Sequence, residues 1–190
     1  MTIHTSLFEG EHICLAPIET DKDAEIQAKW TESAEFLRLL STEPAIPASP
    51  EAVKKRYEAI EKKMETDRNL FYFTIRLRPD DRLIGFAQIY WIEWAGGYAR
   101  LQLGIGLPDE RGKGYGSEAL RLLLRYAFSE LNLFRLDAIV GEDNLAAMRL
   151  FQKAGFVEEV RQRQALYRDG RRWDLIGLGL LKEEWSASHA

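Results

Sequence analysis

Apolar residues alternate with polar ones, or run on between turn signals, over residues 70–76, 83–91 and 98–107. That is the rhythm of strands. Pro79-Asp80-Asp81 and Gly96-Gly97 separate the three segments, so together they read as an antiparallel meander. The rhythm then changes. Over residues 117–131, Ala119, Leu120, Leu123, Leu124, Ala127 and Phe128 fall on one face of a helix, with the spacing of an amphipathic segment. Helices are also expected over 21–30, 50–63 and 144–153, the last opened by Asn144 as N-cap and closed by Gly155. Further strands are expected over 13–18, 134–140, 156–163 and 173–181. The stretch 32–50 carries Pro44, Pro47 and Pro50 and reads as a loop. No repeat or linker-like shift divides residues 1–190, so the expected architecture is one α+β domain on a central, mostly antiparallel sheet.

The densest chemical signal lies between the meander and the 117–131 helix, where residues 108–116 read P-D-E-R-G-K-G-Y-G. A glycine turn that leads from a strand into a helix lets consecutive backbone N–H groups converge on an anion at the positive end of the helix dipole. Gly112, Gly114 and Gly116 supply the conformational freedom, and Arg111 and Lys113 add positive charge. The spacing is not the dinucleotide fingerprint G-x-G-x-x-G, and it lacks the Lys-Ser/Thr end of a P-loop. Three glycines in five residues would also serve a tight connection alone.

R-G-K-G-Y-G followed by N-x-x-A-x-x-L-F-x-K-x-G-F, ending at Phe156, resembles the acetyl-CoA signature of the GNAT superfamily of N-acetyltransferases. The fuller run L-G-I-G-L-P-D-E-R-G-K-G-Y-G-S-E-A-L, with Y-R-D-G-R-R-W-D further on, is similar to the RimJ/RimL branch. The resemblance implies a GNAT fold whose fourth and fifth strands splay to hold the coenzyme. It places acetyl-CoA against Ile105, Gly106 and Leu107, the turn Arg111, Gly112, Lys113, Gly114, Tyr115 and Gly116, and Asn144 and Phe151. It further implies direct attack of an amine on the bound thioester. That chemistry needs a proton acceptor, a donor to the oxyanion and a proton for the leaving thiolate.

The chain departs from the family pattern at both acid–base positions. Where relatives often carry Glu on the strand before the turn, it has Gln102, which cannot take a proton; where they often carry Tyr in the later helix, it has Phe151. The catalytic candidates are therefore Asn144, Gln102 and Glu93. Glu93, between Trp91 and Trp94, reads either as an exposed turn carboxylate or as a base reaching the acceptor side of the sheet. If the site keeps the family's geometry, one or both of Gln102→Glu and Phe151→Tyr are expected to raise turnover, within the roughly 10² to 10⁴ that acid–base groups contribute; if water ordered by Gln102 already does this work, Gln102→Glu changes little or perturbs the site.

Composition narrows the surroundings. With 190 residues, 46% hydrophobic and 29% charged, the chain suits one sizeable core. A net charge of −4 gives no nucleic-acid footprint. No apolar run approaches a membrane span and residues 1–6 do not begin a signal peptide, so a cytoplasmic setting is expected. Cys14 stands alone and the three histidines offer no ligand spacing, so no metal is expected. The partners expected are an amine acceptor, either a small molecule or a protein N-terminus, with the chain as monomer or homodimer. The alternative to an enzyme is a GNAT-fold module that binds acetyl-CoA with little or no catalysis.

Overall fold

In the computed structural model, which describes residues 6–187, the elements are β1 (Ile13–Ala16), α1 (Thr20–Thr31), α2 (Ala34–Leu40), α3 (Pro50–Thr66), β2 (Leu70–Leu77), β3 (Leu83–Glu93), β4 (Tyr98–Ile105), α4 (Tyr115–Arg125), β5 (Arg135–Gly141), α5 (Leu145–Lys153), β6 (Val157–Arg168), β7 (Arg171–Leu181) and α6 (Lys182–Ala187). Seven strands form one mixed sheet in the order β1-β2-β3-β4-β5-β7-β6. Every pairing is antiparallel except β4 with β5. No helix among the described residues is long and apolar enough to cross a membrane.

Strand parity, shifted once where Gly85 and Leu83 pair with successive residues of β2, sorts side chains to two cores. Ile84, Ala87 and Ile89 of β3 join the larger cluster on the α4 face, whereas Leu83 and Phe86 join Trp30, Phe36, Val53 and Tyr57 beneath the first three helices. The expected α4 face is the buried one: Ala119, Leu120, Leu123, Leu124, Ala127 and Phe128 are all buried, and each large apolar side chain contributes on the order of 1.5–3 kcal/mol. α3 begins at the expected Pro50, capped by Ser49, which accepts from the Ala52 amide. Gly155 follows α5 at φ +96°, the left-handed stop expected of it.

Most boundaries shift by a few residues, and four differences bear on the site. The 32–50 loop contains α2, two turns capped by Ser33, which accepts from the Phe36 amide at 3.2 Å. α4 starts at Tyr115 and passes into a π turn, Tyr126–Glu130. β4 stops at Ile105, although the Gly106 amide still donates to the Ile84 carbonyl at 2.8 Å, one step further along the β3 register. β6 and β7 run on to a tight hairpin at Asp169 and Gly170, both at positive φ. A feature with no local sequence signal lies under α1: the Arg76 guanidinium nitrogen sits 2.6 and 2.8 Å from the two Asp23 carboxylate oxygens, with both side chains buried.

The sheet divides where β4 meets β5. Their parallel ladder covers only Tyr98–Arg135, Ala99–Leu136 and Arg100–Asp137. Arg100 holds that seam with two bonds to Asp137, at 2.9 and 3.0 Å, and the Tyr98 hydroxyl donates to the same carboxylate at 2.7 Å. Beyond Arg100 the strands part: β5 continues against β7 to Gly141, while β4 keeps only β3. An open strand edge therefore faces a cleft inside the sheet.

Candidate active site

At the head of the cleft, the glycine turn adopts the conformation that its composition allows. Gly112 and Gly114 have φ of +75° and +92°, which residues with a Cβ rarely adopt. Gly114 is the N-cap of α4 and no side chain caps that end, so the first-turn amides keep their donors for something outside the helix. A Cβ built on either glycine would meet nothing within 4 Å; the glycines are needed for φ rather than for room. Gly116, already inside α4, lies beside Leu150, whose methyl would be 3.9 Å from an added Cβ.

The charged residues of the turn are bound in place. Arg111 donates from Nε to the Ile105 carbonyl at 3.0 Å and lies over the Phe36 ring, tying the turn to β4 and α2. Glu110 is buried, not a solvated loop charge. It pairs with Lys113 and with Arg82, both at 2.8 Å, and its carboxyl is held below the usual range by these bonds, Lys113 first. Lys113 thus braces the turn instead of pointing into the cleft. Tyr115 packs on the larger core beside the His12 ring.

The cleft has a volume of about 520 Å³. Of the expected coenzyme contacts, Ile105, Arg111, Gly112, Gly114, Gly116, Asn144 and Phe151 line it; Gly106, Leu107, Lys113 and Tyr115 do not. Gly106 is pressed against Trp30, where an added Cβ would come within 2.0 Å of the indole, and Leu107 packs on both cores. Along β4 the cleft is lined by residues 101–105. Sequence reasoning missed Ser117, Arg149 and Lys153, which also line the cleft. Helical spacing was the available signal, since Arg149 and Lys153 lie four apart on α5 with Leu150 and Phe151 beside them.

Three consecutive carbonyls at the end of α2 close the cleft. Such carbonyls have no partner within their own helix. Here Asn144 Nδ2 donates to the Leu39 carbonyl at 3.3 Å, Gln102 Nε2 to the Leu40 carbonyl at 2.6 Å, and Arg168 to the Ser41 carbonyl. Arg38 of the same helix pairs with Asp169 at 3.0 Å. Gln102 is engaged at its other end too, where its Oε1 accepts from Gln88 Nε2 at 2.7 Å. Asn144 likewise accepts from the Ala147 amide at 3.0 Å, as the N-cap of α5. Both amides therefore act as ties between β4, α5 and α2.

The remaining candidates, Phe151 for the coenzyme and Glu93 for catalysis, separate. Phe151 is buried at the cleft wall, edge-on to Phe156 at 5.1 Å between centroids. Glu93 is exposed at the end of β3, past a bulge that puts Trp91 at φ +53°, and lines neither the cleft nor its neighbouring cavity. The bulge breaks the strand's alternation and turns this end of β3 away from the site. That neighbouring cavity, about 650 Å³, shares Phe36, Leu40, Leu101, Gln102 and Ile139 with the cleft, so the two meet at Gln102.

Known proteins share this arrangement. A family model described as "Acetyltransferase (GNAT) domain" matches residues 12–157. The chain is 33% identical over 155 residues to the "Probable N-acetyltransferase YjcK" of Bacillus subtilis (strain 168), covering 80% of this chain and 84% of that protein. A solved structure described as a probable acetyltransferase superposes with a TM-score of 0.79 at 28% identity, covering 93% of this chain and 96% of the other. The spermidine N-acetyltransferase of Vibrio cholerae, solved in complex with CoA and spermine, shares the fold, with a TM-score of 0.78 at 22% identity over 92% of this chain and 98% of its own. A glycine turn at a helix start, a sheet parted beyond it and similarity over most of the length lead to one conclusion: the chain belongs to the GNAT acetyltransferases, on their RimJ/RimL-like branch, and is an acetyl-CoA-dependent N-acetyltransferase.

Proposed function

We propose that acetyl-CoA lies in the cleft between β4 and β5, with its pyrophosphate on residues 111–116, and that a primary amine enters through the second cavity and attacks the thioester directly. The observation that carries this reading is the end of the β4–β5 ladder at Arg100 and Asp137, which leaves residues 102–105 facing a cleft that meets a second cavity at Gln102. The residues fit the cosubstrate. Free amides at the start of α4 and the two positive-φ glycines suit a pyrophosphate, the apolar walls from Leu103 to Phe151 suit a pantetheine arm, and Arg111, Arg149 and Lys153 suit its phosphates. The family's chemistry supplies an activated acetyl group. The chain supplies position, because Gln102 and Asn144 hold α2 over the meeting point of the two cavities. Holding two reactants in attack geometry can replace more of a barrier than a proton shuttle does.

No carboxylate among the described residues lines both cavities, so the ammonium loses its first proton to water before attack; as the C–N bond forms and the C–S bond breaks, a second proton passes from the nitrogen through water to the leaving CoA thiolate. Turnover should then rise with pH through the amine's own deprotonation. A panel of amines read by product mass, with a pH–rate profile on the best, tests the reading. Coenzyme binding without transfer to any amine would make the chain a binding module, and a plateau near neutrality would assign a base within the enzyme. A cytoplasmic setting belongs to the same reading.

A further inference from the structure

The second cavity has walls that sort amines by charge. Its lining includes Tyr72, Tyr90, Phe86 and Gln88 and only three charged residues, Glu43, Arg56 and Arg100. Arg100 is neutralised by its two bonds to Asp137. Arg56 and Glu43 have no ion pair among the described residues, and Glu43 lies on the exposed stretch after α2. At the cavity floor burial pushes the hydroxyls of Tyr57 and Tyr72 upward, with the Asp23 charge adding to it and the Arg56 charge opposing it. The same floor holds an unmet acceptor. Gln27 is 7% exposed, its amide nitrogen is 3.5 Å from the Tyr72 hydroxyl, and its Oε1 has no hydrogen-bond partner.

These groups fit one kind of ligand and oppose another. A triamine with its attacking nitrogen deprotonated still brings two ammonium groups, each of which needs a carboxylate once out of water. The cavity offers a single free carboxylate at an exposed position, and a free guanidinium that repels both. An α-amine with a carboxylate a few bonds away brings an anion for Arg56, and a neighbouring N–H would satisfy Gln27 Oε1. We propose, resting on the second cavity as the acceptor site, that it selects amines bearing a single positive charge and a carboxylate set against Arg56, and that it turns polyamines away. The chemistry is shared by free amino acids and by peptide N-termini with an acidic residue close behind. Arg56 is thus a specificity-determining residue.

Calorimetry on the CoA-saturated protein tests this without requiring turnover. The probes are glutamate, a tetrapeptide with Asp at its second position, the same peptide with Lys there, and spermidine. The Asp peptide or glutamate should bind at least tenfold more tightly than the Lys peptide and spermidine; whichever of the two leads identifies the source. Arg56→Glu, a change on an exposed helix position that leaves the core intact, should bring the Lys peptide and spermidine level with or ahead of the acidic probes. Spermidine binding as well as the acidic probes, an order unmoved by Arg56→Glu, or no binding by any probe would overturn the proposal. The two readings fail separately. A chain that acetylates spermidine best keeps its transferase function and loses this selectivity, whereas one that shows the binding order but transfers no acetyl group does the reverse.

Discussion

Gln102→Glu keeps the size of the side chain and changes one hydrogen-bonding atom, and the structure reverses the outcome expected from sequence. The amide nitrogen that donates to the Leu40 carbonyl at 2.6 Å becomes a carboxylate oxygen facing a carbonyl oxygen, while the bond from Gln88 survives. Loss of the bond alone costs about 0.5–1.5 kcal/mol, and leaving a part-buried carbonyl without its donor brings the total to about 1–3 kcal/mol. The protonated carboxyl can donate again. Its pKa should therefore be higher in the folded than in the unfolded protein, by about one to two units at 1.36 kcal/mol each. The sign follows: a raised folded pKa gives stability that is present below the unfolded value and lost as pH rises through the folded one. Urea unfolding should find the variant within about 0.5 kcal/mol of the parent at pH 4 and about 1–3 kcal/mol weaker at pH 7. Turnover at pH 7 should fall or stay level, because α2 is no longer held over the reacting groups. A variant as stable as the parent at pH 7 with turnover raised a hundredfold would refute this, and would show Gln102 to be a base position lacking its base.

Other substitutions probe the turn and the buried pair. Gly114→Val forces a β-branched residue toward φ +92°, at a cost on the order of 1–2 kcal/mol, and should weaken acetyl-CoA binding at least tenfold, about 1.4 kcal/mol; unchanged calorimetric affinity in the folded variant would remove the turn from the coenzyme site. Asp23→Asn keeps one acceptor oxygen but removes the charge facing the buried Arg76, leaving the carboxylates of Glu19 at 3.6 Å and Asp81 at 3.9 Å and the Asp81 carbonyl at 3.2 Å, and should cost about 3–5 kcal/mol in urea unfolding; a loss below about 1 kcal/mol would mean that these suffice. The Glu110 carboxyl is held low by Lys113 and Arg82, so its contribution is complete above the ordinary glutamate range and fades as pH falls through the folded value. Glu110→Gln should accordingly lower Tm at pH 7 and leave it nearly level with the parent at pH 3; an equal deficit at both would point to packing instead of charge.

What the sequence settles by itself is whatever depends on neighbours along the chain. The α4 face from Ala119 to Phe128, the N-cap Asn144 and the stop at Gly155 are local matters of period and capping, and the structure repeats them. The bend of the glycine turn was legible for the same reason, since consecutive amides and the glycines that turn them are neighbours along the chain. α2 escaped because two turns following Ser33 and preceding three prolines have little helical tendency of their own. Its place is decided by Asn144, Gln102 and Arg168, which reach it from 105, 62 and 127 residues away. Those contacts also decide what Gln102 and Asn144 do. A residue type states which hydrogen bonds a side chain can make, whereas the partner that takes them is chosen by packing. Glu93 fell away from the site through one bulge at Trp91, and Arg56 came to it because α3 lies across the sheet. Registers of that kind are set by a whole core finding its closest packing, and no window of sequence contains them.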